Sequence, residues 1–120
     1  QALNDQPLTI YGDGQQTRSF CYVDDLVTGL LHYSDKRINY PVNLGSDVEF
    51  TILQLAEMIQ GLFPGKNLHV EHQNLPEDDP KQRRPDLTLA RQTLAPWENK
   101  IPLKTGLMRM IDWLEKELKE

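Results

Sequence analysis

The amino-acid sequence predicts an α/β fold of short strands and about four helices. Short β-rich segments alternate with longer apolar patterns at helical spacing, as at Ile52, Ala56 and Ile59. Pro64-Gly65 follows that pattern, which is typical of a helix end. With 120 residues and a formal net charge of -5, the chain can form one modest domain or part of a larger one.

Short extended segments are predicted where β-branched and aromatic residues cluster between turn residues. Leu8–Tyr11 alternates between apolar and polar residues and leads into a glycine turn. Segment 68–72 also alternates, which predicts a half-exposed strand. The predicted extended segments are Leu8–Tyr11, 20–23, 41–44 and 68–72.

Helices are predicted where a capping side chain precedes an apolar stripe. Thr51 and Gln54 have the spacing of a capping box, in which each side chain bonds the other's backbone N–H. Asp24 or Asp25 is predicted to cap the helix at about 25–33, and Asp86 is predicted to cap the short helix at about 87–94. The predicted helices cover about 25–33, 52–63, 87–94 and 103–120. Their core faces include Val27, Leu30 and Leu31 in the first helix, and Leu107, Ile111 and Leu114 in the last.

Composition and residue spacing argue against several kinds of site and segment. The acidic balance argues against a nucleic-acid-binding surface, which needs a basic stripe. The single cysteine, Cys21, permits no internal disulfide and fits a reducing compartment. No apolar run has the length of a membrane span, and no signal peptide is visible. His69 and His72 would lie on opposite faces of a strand, so no metal site is expected there.

The first candidate binding feature is a glycine turn followed by a cation. Gly12 and Gly14 allow a tight turn, and Arg18 follows it before an aromatic-aliphatic run. A guanidinium held beside such a turn suits a phosphate or carboxylate ligand. The alternative is a β-hairpin loop with a solvent-facing arginine.

A second cationic segment, Lys81, Arg83 and Arg84, lies between prolines. Proline reduces the entropy lost when a loop is held in place, which suits fixed presentation of guanidinium groups. Asp86 could accept a hydrogen bond from a sugar hydroxyl while it caps its helix. The alternative is a surface salt-bridge cluster with the acidic residues Glu77, Asp78 and Asp79.

Three motifs carry a resemblance to a known family. They are LTIYGDG-x-QTRSF-x-YV-x-DLV over 8–27, VNLG over 42–45 and DDP-x-x-RRPDL over 78–87. Together they resemble the C-terminal region of extended short-chain dehydrogenase/reductases acting on nucleotide sugars, which have a Rossmann-type fold. The last motif most resembles the UDP-glucuronate decarboxylases (UDP-xylose synthases). The dTDP-glucose 4,6-dehydratases and UDP-sugar 4-epimerases are the enzyme alternatives, and a stand-alone anion-binding or interaction domain is the non-enzyme alternative.

The resemblance implies roles for particular residues of this chain. Tyr11 would lie near the nucleotide base, Arg18 and Arg83 would bind the diphosphate of a UDP-sugar, and Asp86 would contact the ribose. Arg84 would be a neighbour of the same ligand.

The resemblance also implies an NAD cofactor and a reaction. NAD oxidises the sugar at C4, the C6 carboxylate leaves as carbon dioxide, and the hydride returns to the sugar. The family uses a glycine-rich dinucleotide loop and a Tyr-x-x-x-Lys pair, neither of which occurs in these 120 residues. We therefore expect residues 1–120 to be a C-terminal nucleotide-sugar-binding portion without catalytic, NAD-binding or metal-binding residues. The resemblance further implies a homodimeric, cytoplasmic enzyme, and leaves open a membrane anchor upstream.

Overall fold

The computed structural model describes residues 1–118, which fall into two compact units. The first unit comprises Gln1–Arg18, Phe50–Arg83 and the chain from Leu107 onward. The second comprises Ser19–Glu49 and Arg84–Gly106, so the chain passes between the units four times. No helix among residues 1–118 combines the length and the apolar character of a bilayer span.

The elements are short, and the strands form two small sheets. In chain order the elements are a 3₁₀ turn (Ala2–Asn4), β1 (Leu8–Tyr11), β2 (Thr17–Ser19), α1 (Val23–Asp35), β3 (Glu49–Thr51), α2 (Ile52–Leu62), β4 (Val70–Gln73), β5 (Gln82–Arg83), α3 (Thr88–Thr93) and α4 (Leu103–Glu117). In one sheet β1 pairs with β4 in parallel; in the other the order is β3-β2-β5, with β2 and β5 parallel.

The first unit has a core between β1 and α2. The predicted capping box is confirmed: Gln54 N donates to Thr51 Oγ1 at 3.0 Å, and Thr51 N donates to Gln54 Oε1 at 2.8 Å. This cap fixes where α2 begins, and its apolar face then packs on β1 as its spacing predicts. The buried core residues are Ala2, Leu8, Ile10, Ala56 and Phe63, with Ile111 of α4 packed against them.

The second unit is held together around a buried carboxylate. Asp25, 7% exposed, accepts hydrogen bonds at Oδ2 from Lys100 N (3.0 Å) and Ile101 N (2.8 Å). Its backbone carbonyl accepts a third from Trp97 Nε1 at 2.9 Å. Trp97 packs with Ala90 and Leu94 in the core of this unit. Asp25 therefore fastens α1 to the segment that follows α3.

The prediction for α1 was wrong in two respects. The helix begins at Val23 with Tyr22 as its N-cap and no side-chain cap, so Asp25 is an internal acceptor and does not cap the helix. The expected core face is open, since Val27, Leu30 and Leu31 are 47%, 53% and 61% exposed. The opposite face is buried instead.

Gly29 contributes to this choice of face. A Cβ on Gly29 would lie 3.0 Å from the side chains of Leu44 and Trp97, so a larger residue would require these neighbours to shift. Asp25 and Gly29 lie one turn apart, and together they turn that face of α1 into the core.

The strand predictions were partly right. β1 is confirmed, and the strand expected at 68–72 lies at Val70–Gln73. Segment 20–23 is not a strand, because the strand in this region lies earlier, at Thr17–Ser19. Segment 41–44 is not a strand either, and its residues Val42 and Leu44 pack against the core without regular secondary structure. β3 and β5 were not predicted. Of the predicted last helix, residues 119 and 120 lie outside the described residues.

Candidate anion-binding site in the first unit

The glycine turn between β1 and β2 is anchored to the start of α2. Gly12 and Gly14 have φ of 71° and 76°, in the left-handed region that favours glycine. A Cβ on Gly14 would lie 2.7 Å from Leu53 Cγ, which leaves no room for a side chain. Leu53 N donates to the Gly14 carbonyl at 3.1 Å, and Ile52 N donates to that of Gln16 at 3.1 Å. The turn thus has a fixed position, from which β2 carries Arg18.

The Arg18 guanidinium is held by three protein oxygens. Its Nη1 donates to the carbonyls of Thr17 (2.7 Å) and Pro80 (2.8 Å). Its Nη2 forms an ion pair with Asp79 Oδ1 at 2.6 Å, and the Arg18 side chain is 19% exposed. A guanidinium has five N–H donors, so at most two remain for a ligand while these bonds persist. Arg18 is therefore not the free, solvent-facing cation of the hairpin alternative, and only part of its donor capacity remains for a ligand.

Arg83 lies beside Arg18 on the neighbouring strand. β2 and β5 run parallel, and their register pairs Thr17 with Gln82 and Arg18 with Arg83. Strands joined in this way lie about 5 Å apart, and paired residues share a face of the sheet. The Arg83 side chain is exposed and forms no ion pair with any residue among 1–118. Two cations, one fixed and one open, are therefore neighbours in one sheet.

Tyr11 ends β1 at the start of the glycine turn. Tyr11 is 48% exposed, and its backbone carbonyl accepts a hydrogen bond from Gln16 Nε2 at 2.8 Å. The next carbonyl, that of Gly12, lies 2.7 Å from His72 Nδ1. The backbone around Tyr11 is thus fixed, and about half of the residue is open to solvent.

Asp86 belongs to the second unit and is already engaged there. Its Oδ1 accepts a hydrogen bond from Thr88 N at 2.9 Å, and the hydrogen bonds from Thr88 hold the pKa of the carboxyl below its ordinary value of 3.8. The N-cap of α3 is Leu87 and the helix starts at Thr88, so Asp86 supports the helix entry from one residue further out than predicted. The carboxyl remains exposed and ionised at neutral pH.

The ion pairs of the structure agree only in part with the alternative of a salt-bridge cluster within the proline-flanked loop. Arg84 pairs with Glu49 at 3.7 Å, and Arg91 pairs with Asp47 at 2.8 Å, in the second unit. Of the loop acids, Asp79 alone forms an ion pair among the described residues, and it does so with Arg18 rather than with a cation of its own loop.

Sequence reasoning did not identify Asp79 as a member of this site. Asp79 lies four residues before Arg83 and also lines a cleft of the first unit. The other residues of that cleft are Asp13, Gln15, Gln16, Leu75 and Lys81. The sequence signals for Asp79 were its positions in an acidic loop and in the motif over 78–87, and neither distinguishes it from Asp78. Among residues 1–118 no three histidine, cysteine or acidic side chains cluster closely enough to hold a metal ion.

Comparison with protein families and curated proteins gives one consistent result. The model of the NAD dependent epimerase/dehydratase family matches residues 1–45. UDP-glucuronic acid decarboxylase 1 of Danio rerio is 43% identical over 118 residues, 98% of this chain and 28% of that protein. UDP-glucuronic acid decarboxylase 2 of Arabidopsis thaliana is 46% identical over 111 residues, 92% of this chain and 24% of that protein. The chain thus spans about a quarter of the length of these relatives.

Solved structures of the same class share the fold. UDP-glucose 4-epimerase from Thermotoga maritima, determined with UDP-glucose, superposes with a TM-score of 0.89 at 28% identity, over 98% of this chain and 37% of that one. UDP-glucuronic acid 4-epimerase from Bacillus cereus, determined with UDP-glucuronic acid and NAD, superposes with a TM-score of 0.84 at 30% identity, over 95% of this chain and 37% of that one.

Proposed function

Because this chain belongs to the NAD-dependent epimerase/dehydratase family, we propose that it is the nucleotide-sugar-binding part of a UDP-glucuronate decarboxylase. The proposed substrate is UDP-glucuronate, and the proposed products of the whole protein are UDP-xylose and carbon dioxide. Identity of 43% and 46% with two decarboxylases, against 28% and 30% with two epimerases, favours this member of the family.

The observation that carries the binding role is the pairing of Arg18 with Arg83 across β2 and β5. A diphosphate carries negative charge on two neighbouring groups, and two arginines paired across adjacent strands have backbones about 5 Å apart, so both side chains can reach one such ligand. Arg18 supplies a fixed donor, and Arg83 an open one. Tyr11 is proposed to pack against the base and Asp86 to accept from the ribose; both stay predictions.

NAD is proposed as the cofactor of the whole protein. The chain has neither a glycine-rich dinucleotide loop nor a Tyr-x-x-x-Lys pair, so its residues do not fit an NAD site. We assign it no catalytic step. Its proposed contribution is to hold the nucleotide end of the sugar.

The binding role is tested by single substitutions in the intact protein. Arg18→Ala and Arg83→Ala should each weaken UDP binding by about 1.5–3 kcal/mol, the usual contribution of a hydrogen bond to a charged group. That corresponds to a loss of about 10- to 150-fold in affinity, measured by titration calorimetry. Arg37→Ala, which removes an exposed arginine of the second unit, is the control and should bind UDP normally. Unchanged affinity in both site variants would refute the diphosphate site.

The reaction is tested separately. The intact protein is given UDP-glucuronate and NAD, and carbon dioxide and UDP-xylose are measured. Turnover of another nucleotide sugar without decarboxylation would favour the epimerase or dehydratase alternatives. Binding of UDP without any turnover of nucleotide sugars would favour the stand-alone binding domain.

A further inference from the structure

We propose that Asp79 is a positioning residue, which orients Arg18 for the diphosphate and so sets its contribution to ligand affinity. This inference rests on the proposed binding role of Arg18 and goes beyond it. It assigns Asp79 no contact with the ligand.

The consecutive residues Asp79 and Pro80 together bind both terminal nitrogens of the Arg18 guanidinium. Asp79 Oδ1 accepts from Nη2 at 2.6 Å, and the Pro80 carbonyl accepts from Nη1 at 2.8 Å. These contacts come from more than 60 residues along the chain, whereas Arg18's own strand provides only the Thr17 carbonyl. A guanidinium is planar, so two oxygens on different terminal nitrogens fix its plane as well as its place. The loop therefore determines the direction in which the remaining donors of Arg18 point.

The loop itself is well placed to act as a support. Thr17 N donates to the Lys81 carbonyl at 2.9 Å, and β5 then pairs with β2 from Gln82. Pro80 has a restricted φ because of its ring, and Asp78 has a φ of 64°, so the chain enters Asp79 through a defined bend. Asp79 is thereby held beside Arg18 by the same strand pairing that brings Arg83 there.

The sign of the effect follows from two opposing terms. The carboxylate of Asp79 repels an anionic ligand, but its side chain is 28% exposed, so solvent screens that repulsion. Without Asp79, the Thr17 and Pro80 carbonyls would hold only Nη1, so Arg18 would lose more side-chain freedom when the ligand binds, and a long side chain is costly to immobilise. We expect preorganisation by the directly bonded carboxylate to outweigh the screened repulsion. Removing the carboxylate should therefore weaken binding.

The adjacent acid gives a matched control. Asp79→Asn and Asp78→Asn remove the same charge from neighbouring positions, and asparagine tolerates the positive φ of Asp78. In the intact protein, Asp79→Asn should weaken UDP binding by about five- to ten-fold, because the neutral amide oxygen can still accept from Arg18 but holds it less strongly than a carboxylate. Asp78→Asn should leave the affinity unchanged or slightly higher. Asp79→Glu, which can still reach Arg18, should recover part of the loss.

A double-mutant cycle separates positioning from other roles. If Asp79 acts through Arg18, Asp79→Asn should have no further effect on UDP affinity in an Arg18→Ala background. Equal losses in both backgrounds would mean that Asp79 touches the ligand or supports another group, which would overturn the proposal. Tighter UDP binding by Asp79→Asn would show that Asp79 competes with the ligand, and would overturn it as well.

The same cycle distinguishes this inference from the proposed function. If Arg18→Ala and Arg83→Ala weaken UDP binding while Asp79→Asn does not, the diphosphate site stands and the positioning role fails. If none of the three changes UDP affinity, the diphosphate site itself fails. Circular dichroism and the thermal midpoint of each variant check that the fold is kept, and the Arg18→Ala/Asp79→Asn variant still reports coupling if Asp79→Asn lowers that midpoint.

Discussion

Asp25 provides the sharpest test of what stabilises the second unit. Its carboxylate is buried and accepts two backbone N–H donors, from Lys100 and Ile101, at 3.0 Å and 2.8 Å. Asp25→Ala removes the acceptor and leaves both donors without it. The donors are only partly buried, so water can solvate them again to some extent.

The expected magnitude follows from these contacts. A hydrogen bond to a charged group contributes about 1.5–3 kcal/mol, and partial solvation of the donors favours the lower value for each. Asp25→Ala should therefore lower the local stability by about 3 kcal/mol. In Asp25→Asn the amide oxygen can still accept, at the lower strength of a neutral bond, so the loss should be about 1–2 kcal/mol. The order of stability is wild type, then Asn, then Ala.

Amide hydrogen exchange measures this locally, without requiring the intact protein to unfold in one step. A loss of about 3 kcal/mol corresponds to roughly a 150-fold drop in protection of the Lys100 and Ile101 amides. Asp35→Ala, an exposed residue at the end of the same helix, is the control and should leave both amides protected. Unchanged protection in Asp25→Ala would refute the view that this carboxylate fastens α1 to the segment after α3.

Two further predictions concern titration. A hydrogen bond from Arg91 lowers the pKa of Asp47 below 3.8, and hydrogen bonds from Thr88 lower the pKa of Asp86 below 3.8. The stability that these bonds add is therefore complete above pH 3.8 and disappears as the pH falls through the lowered pKa values of the folded state. Asp47→Asn and Asp86→Asn should each make urea-unfolding midpoints less pH-dependent below about pH 4; an unchanged slope in both would contradict the shifts. Burial, aided by the charge of Asp25, raises the pKa of the Cys21 thiol above 9.0, so iodoacetamide should alkylate it more slowly at neutral pH than free cysteine, and an equal rate would contradict the shift.

Local features of the fold were predictable from the sequence, and contacts between distant segments were not. The capping box of Thr51 and Gln54 depends on residues three apart, so its spacing was enough to identify it. The role of Asp25 depends on donors 75 and 76 residues away, and the sequence around it gives no sign of them. An apolar stripe also fails to show which helix face is covered, and for α1 the covered face is the one with Gly29.

The candidate site shows the same division. The turn and the prolines made Arg18, Lys81, Arg83 and Arg84 candidates, and the choice of Arg18 and Arg83 rested on the family resemblance. Their pairing could not be predicted, because β5 has two residues and leaves no periodic pattern to recognise. Asp79 could not be separated from Asp78 for the same reason: the difference lies in a contact with a residue 61 positions earlier.

The four passages of the chain between the two units bear on how this region can change over evolutionary time. Neither unit is encoded by one continuous stretch, so a single recombination event cannot duplicate, delete or exchange one unit and leave the other whole. Arg83 and Arg84 lie on either side of one passage, so an insertion there would alter the exit from the first unit and the entry to the second together. We therefore expect the two units to be inherited as a pair, with insertions confined to turns that lie within one unit.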